Sequence, residues 1–336
     1  MTNKCDFPGT GGLRRRRAFT LLELLVSVAV LALLLIGLTS LLSMTMRSYK
    51  QTTGKLETFE ASRAAFDTMA RTLRQATLLS TLGYDDPKAP AKYLLKSDLH
   101  FVSGRQSDLA LSLAGTGTTH AVFFQAPLGV SDNSTLAPAI SLLNTVGYFI
   151  AYGKDPDRPA VIEDLTPTRY RYRLFQYLPP REKMTVYEKT LKTASEGGDS
   201  FLVGDDTYSG TDWFTGDVNT LEDCRVLAEN VVALAILPVS RAETVPADYT
   251  WNSRKQSNQL PGTLKIAMAV VDETSFARLE NSPTAPDLGL SGFFTDPAKF
   301  DEDVTAMEGK LAGHSPPLNY RIFRAEIPLP PANANL

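Results

Sequence analysis

The chain has 336 residues, of which 43% are hydrophobic and 21% charged, the composition of a protein with a folded core of one or two domains. Five of its 34 basic residues but only one of its 37 acidic residues fall in the first 18 positions, so the remainder is acidic by about seven charges. Such a body offers no electrostatic footprint for nucleic acid, and no nucleic-acid partner is expected. The two cysteines, Cys5 and Cys224, lie on either side of a long apolar run, which argues against an internal disulfide.

That run, residues 24 to 46, follows RRRRAFTLLE and is free of charge until Arg47. As a helix it reaches roughly 35 Å, enough to cross a hydrocarbon core of about 30 Å. Arg14, Arg15, Arg16 and Arg17 keep the N-terminus in the cytoplasm by the positive-inside rule, which places everything after Arg47 outside. The apolar run is too long for a secretory signal peptide. The pair Arg16-Arg17 before Phe19 has the form of a twin-arginine signal, but no Ala-x-Ala site follows the span. A plain uncleaved anchor explains the arginines and the span, yet gives no reason for a carboxylate at Glu23, where an unpaired charge costs up to about 2.5 to 3.5 kcal/mol toward mid-membrane.

Taken together, R-A-F-T-L-L-E-L-L-V and the apolar helix resemble the N-terminal signature of type IV prepilins and type II secretion pseudopilins. The resemblance implies that a prepilin peptidase cuts between Ala18 and Phe19, removing residues 1–18 as a basic leader, and that the new N-terminus at Phe19 is N-methylated. Glu23 becomes the fifth residue of the mature chain, and the resemblance implies that it pairs with the N-terminal amine of a neighbouring subunit during assembly. One departure is the residue before the cut, usually Gly in the family and here Ala18. The implied partners are the peptidase, other pilin or pseudopilin subunits, an inner-membrane assembly platform and membrane lipid.

Past Arg47, Leu56, Phe59, Phe66, Met69, Leu73, Ala76 and Leu79 recur at three, four or seven residues, with Arg63, Asp67 and Arg71 spaced i,i+4 on another face. The pattern predicts one helix from 19 to about 82, with a transmembrane half over 19–46, an amphipathic half over 47–82 and a cap near Gly83. A β-rich head is expected over 83–327 and a disordered tail over 328–336. The expected strands are 99–102, 121–125, 146–152, 169–174, 231–239, 264–271 and 320–327, with a short helix starting at Asp301 and ending before Gly313. In Arg169-Tyr170-Arg171-Tyr172-Arg173-Leu174 strict alternation puts Tyr, Tyr and Leu on a core face and the arginines on its solvated back. Long Gly, Pro and Asp-rich connections are expected at about 179–222, 240–262 and 275–318.

The order of these segments extends the resemblance. RAAFDTMARTLRQ (63–75), VGYFIAY (146–152), RYRLFQY (171–177), RVLAENVVALAI (225–236) and LPGTLKIAMAVVDE (260–273) follow the order found in J-type minor pseudopilins and W-type minor pilins. The combination is similar to the family called Verru_Chthon cassette protein C. The fold class implied is α+β and pilin-like: a long N-terminal helix packed on an antiparallel β-sheet head with long loop insertions. The function implied is a minor structural subunit of a type II secretion or type IV pilus-like filament, held in the bacterial inner membrane with its head in the periplasm. The alternative is an uncleaved, single-span receptor or adhesin with an exported β-rich domain.

No catalytic constellation stands out. His100, His120 and His314 have no ligand spacing, and no nucleophile elbow, phosphate loop, CxxC pair or dinucleotide fingerprint occurs, so neither an enzyme nor a cofactor is expected. Asp205 to Asp212 begins like a calcium loop with Gly210 sixth, but its twelfth position is Gly216 where a bidentate Glu is required. No metal is therefore assigned. Asp205, Asp206 and Asp217 stay as candidates for a head-loop cation of the kind some pseudopilins carry, against a flexible acidic loop.

Overall fold

The computed structural model describes residues 20–84, 91–113, 115, 119–135, 139, 141–156, 168–187, 191–196, 199–204, 210–242, 244, 246–279, 282–331 and 333–334. In chain order the elements are helix α1 (Leu21–Leu73), then strands β1 (Leu79–Tyr84), β2 (Tyr93–Ser97), β3 (Val102–Arg105), β4 (His120–Pro127), β5 (Leu143–Gly153) and β6 (Arg171–Tyr177). A hairpin β7 (Leu191–Glu196) and β8 (Asp199–Gly204) precedes helix α2 (Asp212–Thr220), β9 (Cys224–Glu229), β10 (Val231–Val239), β11 (Trp251–Asn252) and β12 (Thr263–Val271). The short helix α3 (Glu273–Phe276), helix α4 (Phe300–Ala312), β13 (Tyr320–Pro328) and β14 (Asn333–Ala334) complete the chain. An apolar N-terminal helix and a mostly antiparallel sheet head make an α+β, pilin-like architecture.

The chain divides after Thr53 into two units. In the first, Leu21–Met46 is long and apolar enough to cross a membrane, and none of it is buried within the protein. Four of its hydroxyls are satisfied internally. Ser27 donates to the Leu24 carbonyl at 2.9 Å, Thr39 to Leu35 at 2.7 Å, Ser43 to Thr39 at 2.8 Å and Thr45 to Leu41 at 2.9 Å, which spares hydrocarbon the desolvation of those hydroxyl protons.

In the second unit the rest of α1 buries one stripe, Ser62, Ala65, Phe66, Met69, Ala70, Leu73, at the three-and-four spacing of an amphipathic helix. Phe66 stacks on Phe323 of β13 with ring centroids 5.8 Å apart, and Arg321 lies over the ring of Phe59 at 5.3 Å. The helix ends at Leu73 rather than near 82. Gln75 and Ala76 turn the chain with i−3 bonds, and the Thr77 amide then donates to the Gln125 carbonyl of β4 at 3.0 Å. Residues beyond join a β1–β2 hairpin, leaving Leu79, expected on the buried stripe, 45% exposed. Tertiary pairing has overridden helix propensity here.

The main sheet has six strands in the order β11-β3-β4-β5-β6-β9, every pair antiparallel. One face, with Val122, Phe124, Tyr148, Ile150 and Leu174, joins a core shared with α1 and with the three-stranded sheet β10-β12-β13. The other face, with Phe123, Phe149, Phe175 and Tyr177, is covered by Trp213, Phe214 and Val218 of α2. At Gly147 the opposing ring of Phe123 would lie 2.3 Å from an added Cβ, so that position has room for no side chain.

Burial on both faces corrects the reading of the arginine-tyrosine strand. Arg171 and Arg173 are only 5% and 2% exposed. Their charges are met by carboxylates instead of water. Arg171 holds Glu273 through Nη2 at 2.8 Å and Nε at 3.3 Å, while Arg173 donates to Glu229 at 2.9 Å and to the Gly153 carbonyl at 2.8 Å. Of the three, only Arg169 keeps the solvated position expected of it, ahead of the strand's start at Arg171.

Three further boundaries differ. The strand expected at 99–102 starts only at Val102, because side-chain acceptors take the preceding amides: Ser97 Oγ for Leu99, Gln125 Oε1 for His100 and Ser253 Oγ for Phe101. The connection at 179–222 contains α2 and the β7–β8 hairpin. The described part of the expected disordered tail is anchored. Leu329 is buried, Arg241 donates to the Leu329 and Pro330 carbonyls, and β14 adds in parallel to β1. By contrast β10 matches the expected span of 231–239, and α4 lies within one residue of its expected limits.

Candidate functional site

The helix start is built by a local sequence device. Thr20 precedes α1, and its Oγ1 accepts the main-chain N–H of Glu23 at 3.2 Å while its carbonyl accepts that of Leu24 at 3.2 Å. This is the N-cap arrangement, and T-x-x-E is the spacing of a capping box. Glu23 therefore stands in the first turn, where the helix dipole favours a carboxylate. Glu23 shares one shallow face with Leu22, Val26, Val30, Leu31 and Leu34. These positions recur at three and four residues, so a single carboxylate heads a mostly apolar stripe that also holds Ser27.

Arg14, Arg15, Arg16, Arg17, Ala18 and Phe19, the expected leader and cleavage residues, lie outside the described residues. So do Asp205 and Asp206. Asp217, the third candidate for a cation, accepts the Tyr177 hydroxyl at 2.7 Å. Burial, followed by this carboxylate, pushes the Tyr177 phenol well above its ordinary range. The nearby Cys224 thiol is pushed up to about 12, first by burial and then by Asp223 and Asp217, the opposite of what a reactive thiolate needs. Among the described residues no three His, Cys, Asp or Glu side chains come together as a metal site.

Two of the three histidines are separate core residues. His100 is buried with Nε2 2.9 Å from Asn252 Oδ1, and its Nδ1 accepts the Trp213 indole N–H at 3.1 Å. His120 is buried on β4, its Nδ1 accepting the Ile236 amide at 2.8 Å. Burial lowers both to about 4, so both are neutral at pH 7. His314 lies elsewhere, with Nδ1 3.0 Å from the Pro316 carbonyl.

One charged site had no sequence signal. Glu273 sits between Arg171, Arg169 and Asn230. Burial alone would raise its pKa, but the bonds from Arg171 and Asn230 hold it below the ordinary carboxylate range. It borders a groove of about 390 Å³ beside the outer edge of β9, lined also by Gly54, Thr58, Ala61 and Leu227. Its parts come from four segments up to about two hundred residues apart, which no local motif could announce.

Residues 13–39 match the family model for the prokaryotic N-terminal methylation motif, spanning the basic run, Thr20, Glu23 and much of the apolar helix. The N-terminal segment is thus that of a prepilin-type N-terminal cleavage and methylation protein, and the chain is type IV pilin-like. This motif marks structural proteins, implies processing by a prepilin peptidase and assembly with other pilin subunits, and fits membrane anchoring by the apolar helix. No curated protein and no solved structure matches the chain.

Proposed function

We propose that this protein is a minor pseudopilin or minor pilin, an assembly subunit of a type II secretion or type IV pilus-like filament. The observation that carries the reading is the methylation motif at 13–39 laid over an uncovered apolar helix with one carboxylate at its head. In this reading the peptidase removes residues 1–18 by cutting between Ala18 and Phe19, and Phe19 is N-methylated. The chain is held in the bacterial inner membrane, N-terminus cytoplasmic and head periplasmic, by the arginines at 14–17.

Cleavage creates the cation that Glu23 lacks. An α-amine with a pKa near 7.7 to 8.0 is charged at neutral pH, and pairing it with the Glu23 of a neighbour offsets a desolvation cost that neither charge could bear alone. Residues 24–46 then pack among the equivalent helices of other subunits, and the head presents its long connections to minor subunits or exported substrates. Mass spectrometry of the N-terminal peptide from native membranes tests the first step. The expected peptide begins at N-methylated Phe19; an intact Arg17-Ala18-Phe19 peptide would reject the reading in favour of a retained anchor.

A further inference from the structure

We propose that the β1–β2 hairpin of one copy docks, by its tyrosine pair, into the groove between α1 and β9 of a second copy. The inference deepens the filament reading and rests on it.

The hairpin is the exceptional surface of the head. Among the described residues from Gly54 onward, the large apolar side chains left exposed are Leu79, Leu82, Tyr84 and Tyr93, all on these two strands. Tyr84 faces Tyr93 in the strand register with ring centroids 5.0 Å apart, and Leu82 faces Leu95, so the four share one face of the ribbon. Ser80 and Ser97, the next pair on that face, are buried, which roots the hairpin in the head and leaves its tyrosine end outside. Apolar side chains gathered in this way mark a contact surface. Tyrosine suits such a surface because its ring needs an apolar wall and its hydroxyl a polar partner.

The groove supplies both. Val226, Leu227, Ala228 and Ala61 give it apolar walls, and β9 beside it pairs only with β6 among the described strands. Gly54, Thr58 and Ala61 are small, which leaves about 390 Å³ between helix and strand, the size of a site that holds a small ligand. Acceptors remain unspent at its border. The Glu57 side chain is exposed and makes no ion pair among the described residues, and Glu229 gives only its Oε1 to Arg173. The described part of the hairpin carries Lys92 and Lys96 and no carboxylate, so its charge is opposite to that of Glu57. Hairpin and groove share no residue, so one copy can use both at once. Such a contact is heterologous and repeats from copy to copy, as a filament requires.

The test uses the full-length chain in native membranes, with Cys5→Ser and Cys224→Ser to remove its own thiols. Copies carrying Tyr93→Cys and copies carrying Thr58→Cys are expressed together and oxidised. A disulfide-linked dimer is expected from the mixture and from neither variant alone. Adding Leu82→Glu to the Tyr93→Cys copy should reduce that dimer to background; Leu82 is 53% exposed, so its replacement leaves the head core intact. A dimer from Tyr93→Cys alone overturns the proposal by pairing hairpin with hairpin, and undiminished linking with Leu82→Glu overturns it as well. No mixed dimer from a chain that is present in sheared filaments sinks this inference and leaves the filament reading standing. Absence of the chain from those filaments sinks the reading, and the inference with it.

Discussion

The two stretches of α1 on either side of Thr53 are built from similar apolar residues and solve opposite problems. Over Leu21–Met46 the leucines and valines point all round the helix and are exposed everywhere, Leu21 at 90% and Leu31 at 56%. Over the second stretch the apolar residues are gathered on one stripe that disappears into the head core, with Met69 and Leu73 fully buried. A helix that is apolar all round needs lipid or other helices to cover it, whereas an amphipathic one is held by its own domain. The difference shows that a continuous helix can carry two independent stabilities, one supplied by the surroundings and one by the fold.

The sharpest way to break this comparison is to change one residue in each stretch. Glu23→Ala removes the only carboxylate of the exposed stripe. If the proposed amine pairing drives assembly, the protein in sheared filament fractions falls at least about tenfold while the membrane pool is unchanged. A normal filament yield would leave Glu23 as a helix-start residue only. Phe66→Ala acts on the other stretch, where it empties a buried site against Phe323, and should cost about 3 to 5 kcal/mol of head stability in urea unfolding of the detergent-solubilised chain. Leu31→Ala removes a comparable apolar volume from the exposed stretch and should leave that unfolding midpoint where it was. A shift with Leu31→Ala as large as with Phe66→Ala would show that the two stretches are not independent.

What the sequence announced follows the same division. The exposed stretch and Glu23 are local signals, legible within a few residues of one another, and the period-two alternation of Leu264, Ile266, Met268 and Val270 made β12 readable for the same reason. The end of α1 was not legible, because it is decided by a carbonyl on β4, some fifty residues on. Nor were the buried arginines. Alternation reveals that a strand has two faces but not that the second is covered, here by α2 over Phe175 and Tyr177 and by Glu273, Phe276 and Glu229 beside the arginines. The partners of Arg171 and Arg173 are Glu273 and Glu229, more than fifty residues away, and a carboxylate at that distance in sequence carries no mark of its destination.

Acid sharpens the comparison next, since the titrating histidines belong to the head alone. His100 and His120 have folded pKa values of about 4 against an ordinary 6.5, because burial disfavours the imidazolium. The unfolded chain binds protons first as pH falls, so the stability they contribute is present above about 6.5 and is lost as pH drops toward 4. Each histidine accounts for roughly 2 kcal/mol between pH 7 and pH 5, where one proton separates the states over most of the range. The urea midpoint of the head should fall accordingly. His120→Gln should remove about half of that pH dependence even if it lowers stability at pH 7. An unchanged pH dependence in that variant would mean His120 does not titrate on unfolding.

The smallest effect concerns the outer face of the second stretch, where exposure has the opposite meaning from exposure in the first. Arg63 and Asp67 form an i,i+4 pair at 3.8 Å, with side chains 71% and 59% exposed. Two solvated charges at that separation gain little from each other, because water screens the attraction and holding both long side chains in place costs entropy. A double-mutant cycle through Arg63→Ala and Asp67→Ala should therefore return a coupling of no more than about 0.5 kcal/mol, falling further with added salt. A coupling near 2 kcal/mol would mean that the pair is desolvated in the working protein, as a covering neighbour would make it. The solvent-facing side of the second stretch would then need a partner, just as the apolar side of the first does.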